Sequence, residues 1–172
     1  MSLSDTDIKR LLSTKGTNAP FKALEGVYLK DELNNLTPKN GKLYVINLAS
    51  STDKLNKDGS IGTHWVLVCN LLKATIIYFD PFGLEPPAEV LSFMKRSHNP
   101  VTNRRKKMIY NTSQVQNVSS EDCGLFCVYV AKMLLQRHKF IDIIMNFDQF
   151  NTWRNDNLVR SILDNELIGE LF

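Results

Sequence analysis

Short apolar runs alternate along the chain with longer stretches in which apolar residues recur at helical spacing. The runs rich in β-branched and aromatic residues predict four β-strands, at residues 43–48, 64–69, 75–80 and 107–110. The longer stretches predict helices with one buried face. The chain is therefore expected to combine a sheet with several helices.

Four segments are predicted to be full helices: residues 4–12, 88–96, 123–138 and 155–167. Ser4 or Asp5 is expected to cap the first of them, because their side chains accept hydrogen bonds from free amides of the first turn. A further short turn of helix is predicted at residues 26–33, and residues 49–62 are expected to form a long polar loop.

The strands predicted at residues 64–69 and 75–80 are separated by a short turn near Leu72 and are expected to pair as a hairpin. The expected fold is therefore α/β (α+β), with a mixed, mostly antiparallel sheet. The helix at residues 123–138 should pack centrally against that sheet. A length of 172 residues suits one domain, so residues 1–172 are expected to form a single domain.

Composition and charge exclude several classes of protein. Hydrophobic residues make up 43% of the chain and charged residues 23%, which excludes a disordered or fibrous chain. The net charge of +3 is too small for a histone-like polycation. No apolar run approaches the roughly 20 residues of a membrane helix, and the start lacks a signal-peptide pattern. We therefore expect no membrane association.

The three cysteines are Cys69, Cys123 and Cys127. An odd number without a C-x-x-C pair argues against a disulfide framework and against a structural zinc site. The expected compartment is therefore reducing and intracellular, and no metal or cofactor is expected.

Three short segments carry residues suited to nucleophilic catalysis, and they supply His64, Asp80, Gln116 and Cys123 in chain order. Hairpin pairing places Asp80 opposite His64 or one residue off register, roughly 5 Å apart at Cβ. A cysteine nucleophile needs such a base, and the base needs an acceptor that orients it.

Cys123 stands at the start of the longest predicted helix. Free amides and the positive end of the helix dipole favour a thiolate there. The Cys123 amide and the Gln116 side chain, seven residues earlier, can both donate to a developing oxyanion.

Each of these residues has an ordinary structural interpretation when taken alone. A lone histidine in a strand is usually just a polar residue, Asp-Pro is usually a turn, and a cysteine on an apolar helix is usually core. Cys69 and Cys127 are interpreted as core in this way. The joint occurrence of the other residues favours a cysteine protease.

The motifs G-x-H-W at residues 62–65, F-D-P-F-G at 79–83 and V-Q-x6-C-G-L-F-C at 115–127 resemble the adenovirus-type maturation proteases. Among these proteases, the motifs most resemble those of the versions found in virophages and Polinton-like elements. The resemblance covers roughly residues 20–135 and implies an adenain/Ulp-like fold. The adenoviral enzymes commonly have Glu where this chain has Asp80.

The resemblance implies that Cys123 is the nucleophile, His64 the base, Asp80 the orienting carboxylate and Gln116 the oxyanion donor. Trp65 matches an aromatic residue that narrows the substrate groove. The implied activity is cleavage of viral capsid precursors beside small residues, especially Gly. The implied location is the virus factory of the infected cell, in its cytoplasm or nucleus, with packaging into the virion.

Several alternatives remain beside this interpretation. The order His, Asp, Cys excludes a papain-type enzyme. A chymotrypsin-like viral protease would need strands after the nucleophile, where this chain predicts a helix. A protease that removes ubiquitin-like proteins and a bacterial-type acyltransferase share the fold and the triad.

A basic run raises an alternative of another class, a module that binds DNA or capsid. Its core is Arg104, Arg105, Lys106 and Lys107, without any acid between residues 95 and 107. Such a run can neutralise phosphates but lacks an aromatic residue for base stacking, so only non-specific DNA binding is expected. A solvated loop is the ordinary interpretation.

Overall fold

A five-stranded mixed sheet lies at the centre of the protein, for which a computed structural model describes residues 2–13, 23–53 and 64–169, with side chains as far as residue 161. The strands lie side by side in chain order: β1 (Leu24–Leu29), β2 (Lys42–Asn47), β3 (Trp65–Asn70), β4 (Thr75–Phe79) and β5 (Lys107–Tyr110). The two inner pairs are antiparallel and the two outer pairs are parallel. The mixed sheet was predicted, but its pairs divide evenly instead of being mostly antiparallel.

The helices cover both faces of this sheet. They are α1 (Asp5–Ser13), a 3₁₀ helix (Lys30–Asn35), α2 (Ala88–Lys95), α3 (Cys123–Leu135), α4 (Phe140–Asn146) and α5 (Thr152–Gly169). Among the residues that the structure describes, no helix is both long and apolar enough to cross a membrane.

Side chains of the central strands alternate between two cores. Leu67 and Phe79 point into the larger core, which contains α1, α3 and α4. Val66 and Tyr78 point into the smaller core, beneath α2. Because both faces are covered, the strands read as continuous apolar runs. Each fully buried large apolar side chain contributes about 1.5–3 kcal/mol of transfer free energy.

Most of the predicted elements are confirmed, with two exceptions. The turn of helix predicted at residues 26–33 is wrong in its first half, because Leu24–Leu29 forms strand β1, parallel to β2, and only the second half is helical. The short helix Phe140–Asn146 was not predicted, since seven residues hold too few turns for a periodic pattern. Residues 54–62 of the predicted polar loop lie outside the described residues.

The helix that begins at Cys123 is the central helix, as predicted. Nine of its 13 residues are buried, and it packs on β3. It ends at Leu135 instead of residue 138, shortly before Arg137 takes a positive φ of 67°. This helix fixes the position of its own first residue, Cys123, relative to the sheet.

Candidate active site

His64 and Asp80 lie at the same end of the sheet, one residue before β3 and one residue after β4. Leu67 pairs with Phe79 across these strands, so Asp80 continues the register opposite Val66. The predicted placement of Asp80, directly opposite His64 or one residue off register, is therefore wrong, because the offset is two residues and the two are diagonal neighbours. Their side chains still meet, with 2.6 Å between His64 Nε2 and Asp80 Oδ1.

The Asp80 carboxylate is completely buried, and hydrogen bonds compensate its charge. Oδ1 also accepts from the Phe82 amide at 2.7 Å, and Oδ2 accepts from the Tyr78 hydroxyl at 3.4 Å. Asp80 is therefore held as an acceptor pointing at the imidazole.

Opposing effects act on the His64 imidazole. Burial, the largest of them, lowers its pKa, while hydrogen bonds and charge attraction with Asp80 and Cys123 raise it. The second group outweighs the first and brings the pKa of His64 to about 9. Phe82 stacks on the ring with centroids 4.7 Å apart, which fixes the plane of the imidazole.

Cys123 is the first residue of α3, and its interaction with the His64 ring raises the pKa of the imidazole. Since Nε2 faces Asp80, the other ring nitrogen, Nδ1, is the one left for the thiol. The backbone amide of Cys123 lies in the first turn, where helix amides lack intrahelical acceptors. The structure thus brings His64, Asp80 and Cys123 together at one site.

The other two cysteines are buried in the larger core. Burial raises the pKa of the Cys69 thiol to about 12 and raises that of Cys127 well above its usual value. Both thiols are therefore protonated at neutral pH and chemically quiet.

Gln116 lies on the loop between β5 and α3 and is buried. Its amide nitrogen Nε2 donates to the Ser120 carbonyl at 2.8 Å and to Ser120 Oγ at 3.1 Å. Its amide oxygen Oε1 has no hydrogen-bond partner among the described residues. The orientation of the Gln116 amide is therefore set by its nitrogen, which is bound to Ser120.

The segment after Asp80 and the segment before Gln116 are tied together. The Pro81 carbonyl accepts from the Val115 amide at 2.9 Å and from the Gln116 amide at 3.1 Å. The buried Asn111 side chain accepts from the Asp80 amide and donates to the Asp80 carbonyl. Sequence reasoning missed Asn111, because a single Asn after a strand carries no signal of its own.

The sequence matches the Ulp1 protease family, C-terminal catalytic domain, over residues 55–161, which is more than half of the chain. The chain belongs to the Ulp1 protease family. Its mixed sheet with a central helix is the fold of that family. No curated protein matches the chain significantly.

Solved structures support the Ulp1-type fold. A protease of ASFV superposes with a TM-score of 0.51 at 15% identity, covering 75% of this chain and 56% of that one. ChlaDub1 from Chlamydia trachomatis superposes with a TM-score of 0.53 at 16% identity, covering 72% of this chain and 58% of that one. The chain thus spans a little over half the length of each of these two proteins.

Trp65 of the Ulp1-family domain is buried, with 7% of its surface exposed. Its indole Nε1 donates to the Leu3 carbonyl at 3.1 Å. Its ring also lies close to Gly124, where an added Cβ would meet Trp65 Cδ1 at 3.3 Å. Trp65 thus packs against the start of α3. Its contact with substrate stays a prediction. Gly62, from the same motif, lies outside the described residues.

The basic run does not form one continuous surface of the domain. Arg104, Arg105 and Lys107 are exposed, but Lys106 is buried, with 4% of its surface exposed. Lys106 Nζ donates to Asn70 Oδ1 at 2.8 Å and to the Leu72 carbonyl at 2.6 Å. Lys106 is therefore unable to face a phosphate, and three cations remain on the surface.

A cavity of about 730 Å³ lies apart from the candidate active site. Side chains of β5, the end of α3 and α4 line it, including Ile109, Leu134 and Phe140. Neither His64 nor Cys123 contributes to it, so this cavity is separate from the cluster of His64, Asp80 and Cys123.

Proposed function

We propose that the protein is an endopeptidase in which Cys123 is the nucleophile, His64 the general base and Asp80 the residue that orients it. The observation that carries this proposal is the His64 imidazole, whose Nε2 lies 2.6 Å from the buried Asp80 carboxylate and whose pKa is raised by Asp80 and by Cys123 at the start of α3. A cysteine nucleophile needs these two partners.

In this mechanism the Cys123 thiolate attacks the scissile carbonyl carbon, and a C–S bond forms as the carbonyl π electrons move to oxygen. The Gln116 amide and the Cys123 backbone amide donate to that oxyanion. His64 gives its proton to the leaving amine as the C–N bond breaks. The neutral imidazole then takes a proton from water, which attacks the thioester and releases Cys123.

The proposed substrates are viral precursor proteins, in particular capsid proteins, cleaved beside small residues such as Gly during particle maturation. The adenain-like motifs around His64, Asp80 and Cys123 support this proposal, and so does the shared fold with a protease of ASFV. The proposal locates the enzyme in the virus factory of the infected cell and then in the virion. Three free cysteines suit such a reducing environment.

A deconjugating protease for ubiquitin-like proteins is the second candidate, and the match to the Ulp1 protease family favours it. The two functions use the same triad and differ only in the substrate. An acyltransferase of the same fold would pass the acyl group from Cys123 to an acceptor other than water.

Incubation with candidate capsid precursors, followed by mass spectrometry of new termini, tests the proposed function. We expect new internal termini beside Gly or another small residue, and none with the Cys123→Ala variant. Hydrolysis of ubiquitin-like C-terminal amide probes without precursor cleavage would establish the second candidate instead. Acyl transfer without hydrolysis would establish the acyltransferase.

Selective alkylation tests the assignment of the nucleophile independently of any substrate. Limiting iodoacetamide at neutral pH should label Cys123 first and abolish activity, since the other two thiols are buried and protonated. Peptide mapping identifies the labelled residue. Preferential labelling of Cys127 would show that the nucleophile has been assigned wrongly.

A further inference from the structure

We propose that Asp156 and Ser120 are positioning residues of the active site, which orient the Gln116 amide so that its N–H groups, and not its oxygen, face the oxyanion. The inference rests on the proposed role of Gln116 and extends the site to α5, which lies outside the three motifs. It concerns a chain of hydrogen bonds from α5 through Ser120 to Gln116.

The contacts are direct. Ser120 Oγ donates to Asp156 Oδ1, and the backbone amide of Asn117 donates to Asp156 Oδ2 at 3.0 Å. Asp156 is completely buried, so its carboxylate is confined to these partners. Gln116 Nε2 in turn donates to the carbonyl and the hydroxyl oxygen of Ser120.

The direction of each proton follows from the chemistry of the groups. An ionised carboxylate accepts only, so Ser120 must give its single hydroxyl hydrogen to Asp156. The Ser120 oxygen is then left as an acceptor, and the Ser120 carbonyl is always one. Both groups can face only the NH₂ end of the Gln116 amide. In the proposed arrangement one N–H is shared between these two acceptors, and the other is left for the oxyanion.

The unpaired Gln116 oxygen shows that this orientation carries an energetic penalty. Oε1 is buried and has no partner among the described residues, which costs about 1–3 kcal/mol for a polar group removed from water. Rotating the amide would place Oε1 against two acceptor oxygens of Ser120. Asp156 makes that alternative unfavourable by fixing the hydroxyl proton.

A second contact from α5 holds the other end of the same loop. Arg160 Nε and a terminal guanidinium nitrogen both lie 2.6 Å from Asp122 Oδ2. Asp122 directly precedes Cys123 and is completely buried. Helix α5 therefore contacts both Ser120 and Asp122, in the segment that leads to Cys123.

Two reagents that react with the same thiol separate orientation of Gln116 from a general structural role. p-Nitrophenyl acetate acylates Cys123 through a tetrahedral oxyanion and expels p-nitrophenolate. Iodoacetamide alkylates Cys123 by displacing iodide and forms no oxyanion. A residue that only supports the fold affects both rates, whereas one that positions an oxyanion donor affects acylation alone.

We expect Asp156→Asn and Ser120→Ala to lower the acylation rate roughly tenfold or more, below the 10²–10³ typical of losing the donor itself, as in Gln116→Ala. Their alkylation rates should match the wild type. Ser120→Thr keeps the hydroxyl and should restore acylation. Because Gln116 is the shared endpoint, adding Asp156→Asn to Gln116→Ala should cause no further loss.

Ser119→Ala is the matched control for Ser120→Ala, because Ser119 is the exposed neighbour on the same loop. Asp148→Asn is the control for Asp156→Asn, because Asp148 accepts from the Phe150 and Asn151 amides in the turn before α5 and forms no hydrogen bond with Ser120. Both controls should acylate like the wild type. If Asp156→Asn fails to fold, the acylation rate of Ser120→Ala still tests the proposal.

Unchanged acylation in Ser120→Ala, with a clear loss in Gln116→Ala, would overturn the positioning role and leave the proposed function intact. A parallel fall of acylation and alkylation would reduce Asp156 to a structural residue. Normal acylation in Gln116→Ala would remove the oxyanion role itself, and failure to label Cys123 would overturn the proposed function.

Discussion

The pKa of His64 is about 9, although burial alone would lower the pKa and favour the neutral imidazole. The difference comes from a buried carboxylate at 2.6 Å and from Cys123 on the other side of the ring. At neutral pH His64 is therefore an imidazolium, the form that the proposed mechanism needs to protonate a leaving amine.

Replacing Asp80 with Asn keeps the shape of the side chain but removes its charge. The amide favours the wrong imidazole tautomer and does not stabilise the imidazolium, so kcat for peptide cleavage should fall by roughly 10²–10⁴ with little change in KM. Steady-state kinetics on a peptide spanning an identified cleavage site measures both. Asp142→Asn, on the exposed side of α4, should leave them unchanged.

Near-wild-type turnover of Asp80→Asn would mean that His64 is oriented by another group.

The pKa of His64 predicts a pH dependence whose sign is fixed. Because the folded pKa of about 9 exceeds the ordinary value of 6.5, the protonated ring stabilises the fold fully below pH 6.5. That stabilisation should be lost as the pH rises through 9. NMR titration of the ring should give a midpoint near 9 in the wild type, and a lower one in Asp80→Asn. Equal midpoints in the two proteins would contradict the assigned cause.

Residue chemistry predicted that His64, Asp80 and Cys123 act together, because imidazole, carboxylate and thiol in one chain suggest a known reaction, and the structure brings the three side chains to one site. Asn111, Ser120 and Asp156 carry no such signal. Their importance comes from their partners, and only the folded chain shows which groups those are.

At the scale of elements, the turn after β4 is packed against the loop that carries Gln116. Gly83 has a φ of +70°, and an added Cβ would lie 2.6 Å from the backbone carbon of Ser113. Only glycine allows this approach. The two segments that carry Asp80 and Gln116 are therefore in backbone contact.

Gly83→Ala should both destabilise the protein and reduce kcat, since the left-handed conformation alone costs about 1–3 kcal/mol and the clash moves the Gln116 loop. Gly41→Ala is the matched control. Gly41 has a φ of +78°, but an added Cβ would meet nothing within 4 Å. It should show the stability loss alone. Thermal unfolding measures the stability loss, and steady-state kinetics measures kcat. Equal kcat values in the two variants would contradict the predicted effect of the Gly83 contact on the Gln116 loop.

The strands and long helices were predictable because apolar periodicity reports local burial. Strand β1 was missed because it lies at the sheet edge and its residues are only half-buried, so they show no clear pattern. The hairpin was predicted correctly, but its register was not, since a turn centre estimated from sequence is uncertain by a residue.

For the whole molecule, the surface charge near β5 is the feature with a consequence for partners. Changing Arg104, Arg105 and Lys107 to Gln should reduce precursor processing more at low salt than at high salt. The screening length falls from about 10 Å at 0.1 M to about 3 Å at 1 M, so an electrostatic contribution fades there. Initial rates measured over a series of salt concentrations test this prediction. An unchanged salt dependence would mean that these residues only form a solvated loop.

Lys106→Met is the control within the same run. Its ammonium group donates hydrogen bonds to Asn70 Oδ1 and to the Leu72 carbonyl, and burial lowers its pKa. Removing it should lower the free energy of unfolding by about 1–3 kcal/mol without altering the salt dependence.

The order in which the chain is synthesised gives the contacts of α5 another meaning. Ser120 and Asp122 precede their partners Asp156 and Arg160 by 36 and 38 residues. A nascent chain that has emerged only as far as α3 already contains the thiol, the imidazole and the carboxylate. It lacks the side chains that hold the loop before Cys123. Translation therefore imposes a delay between the synthesis of Cys123 and the assembly of the contacts that hold the loop before it.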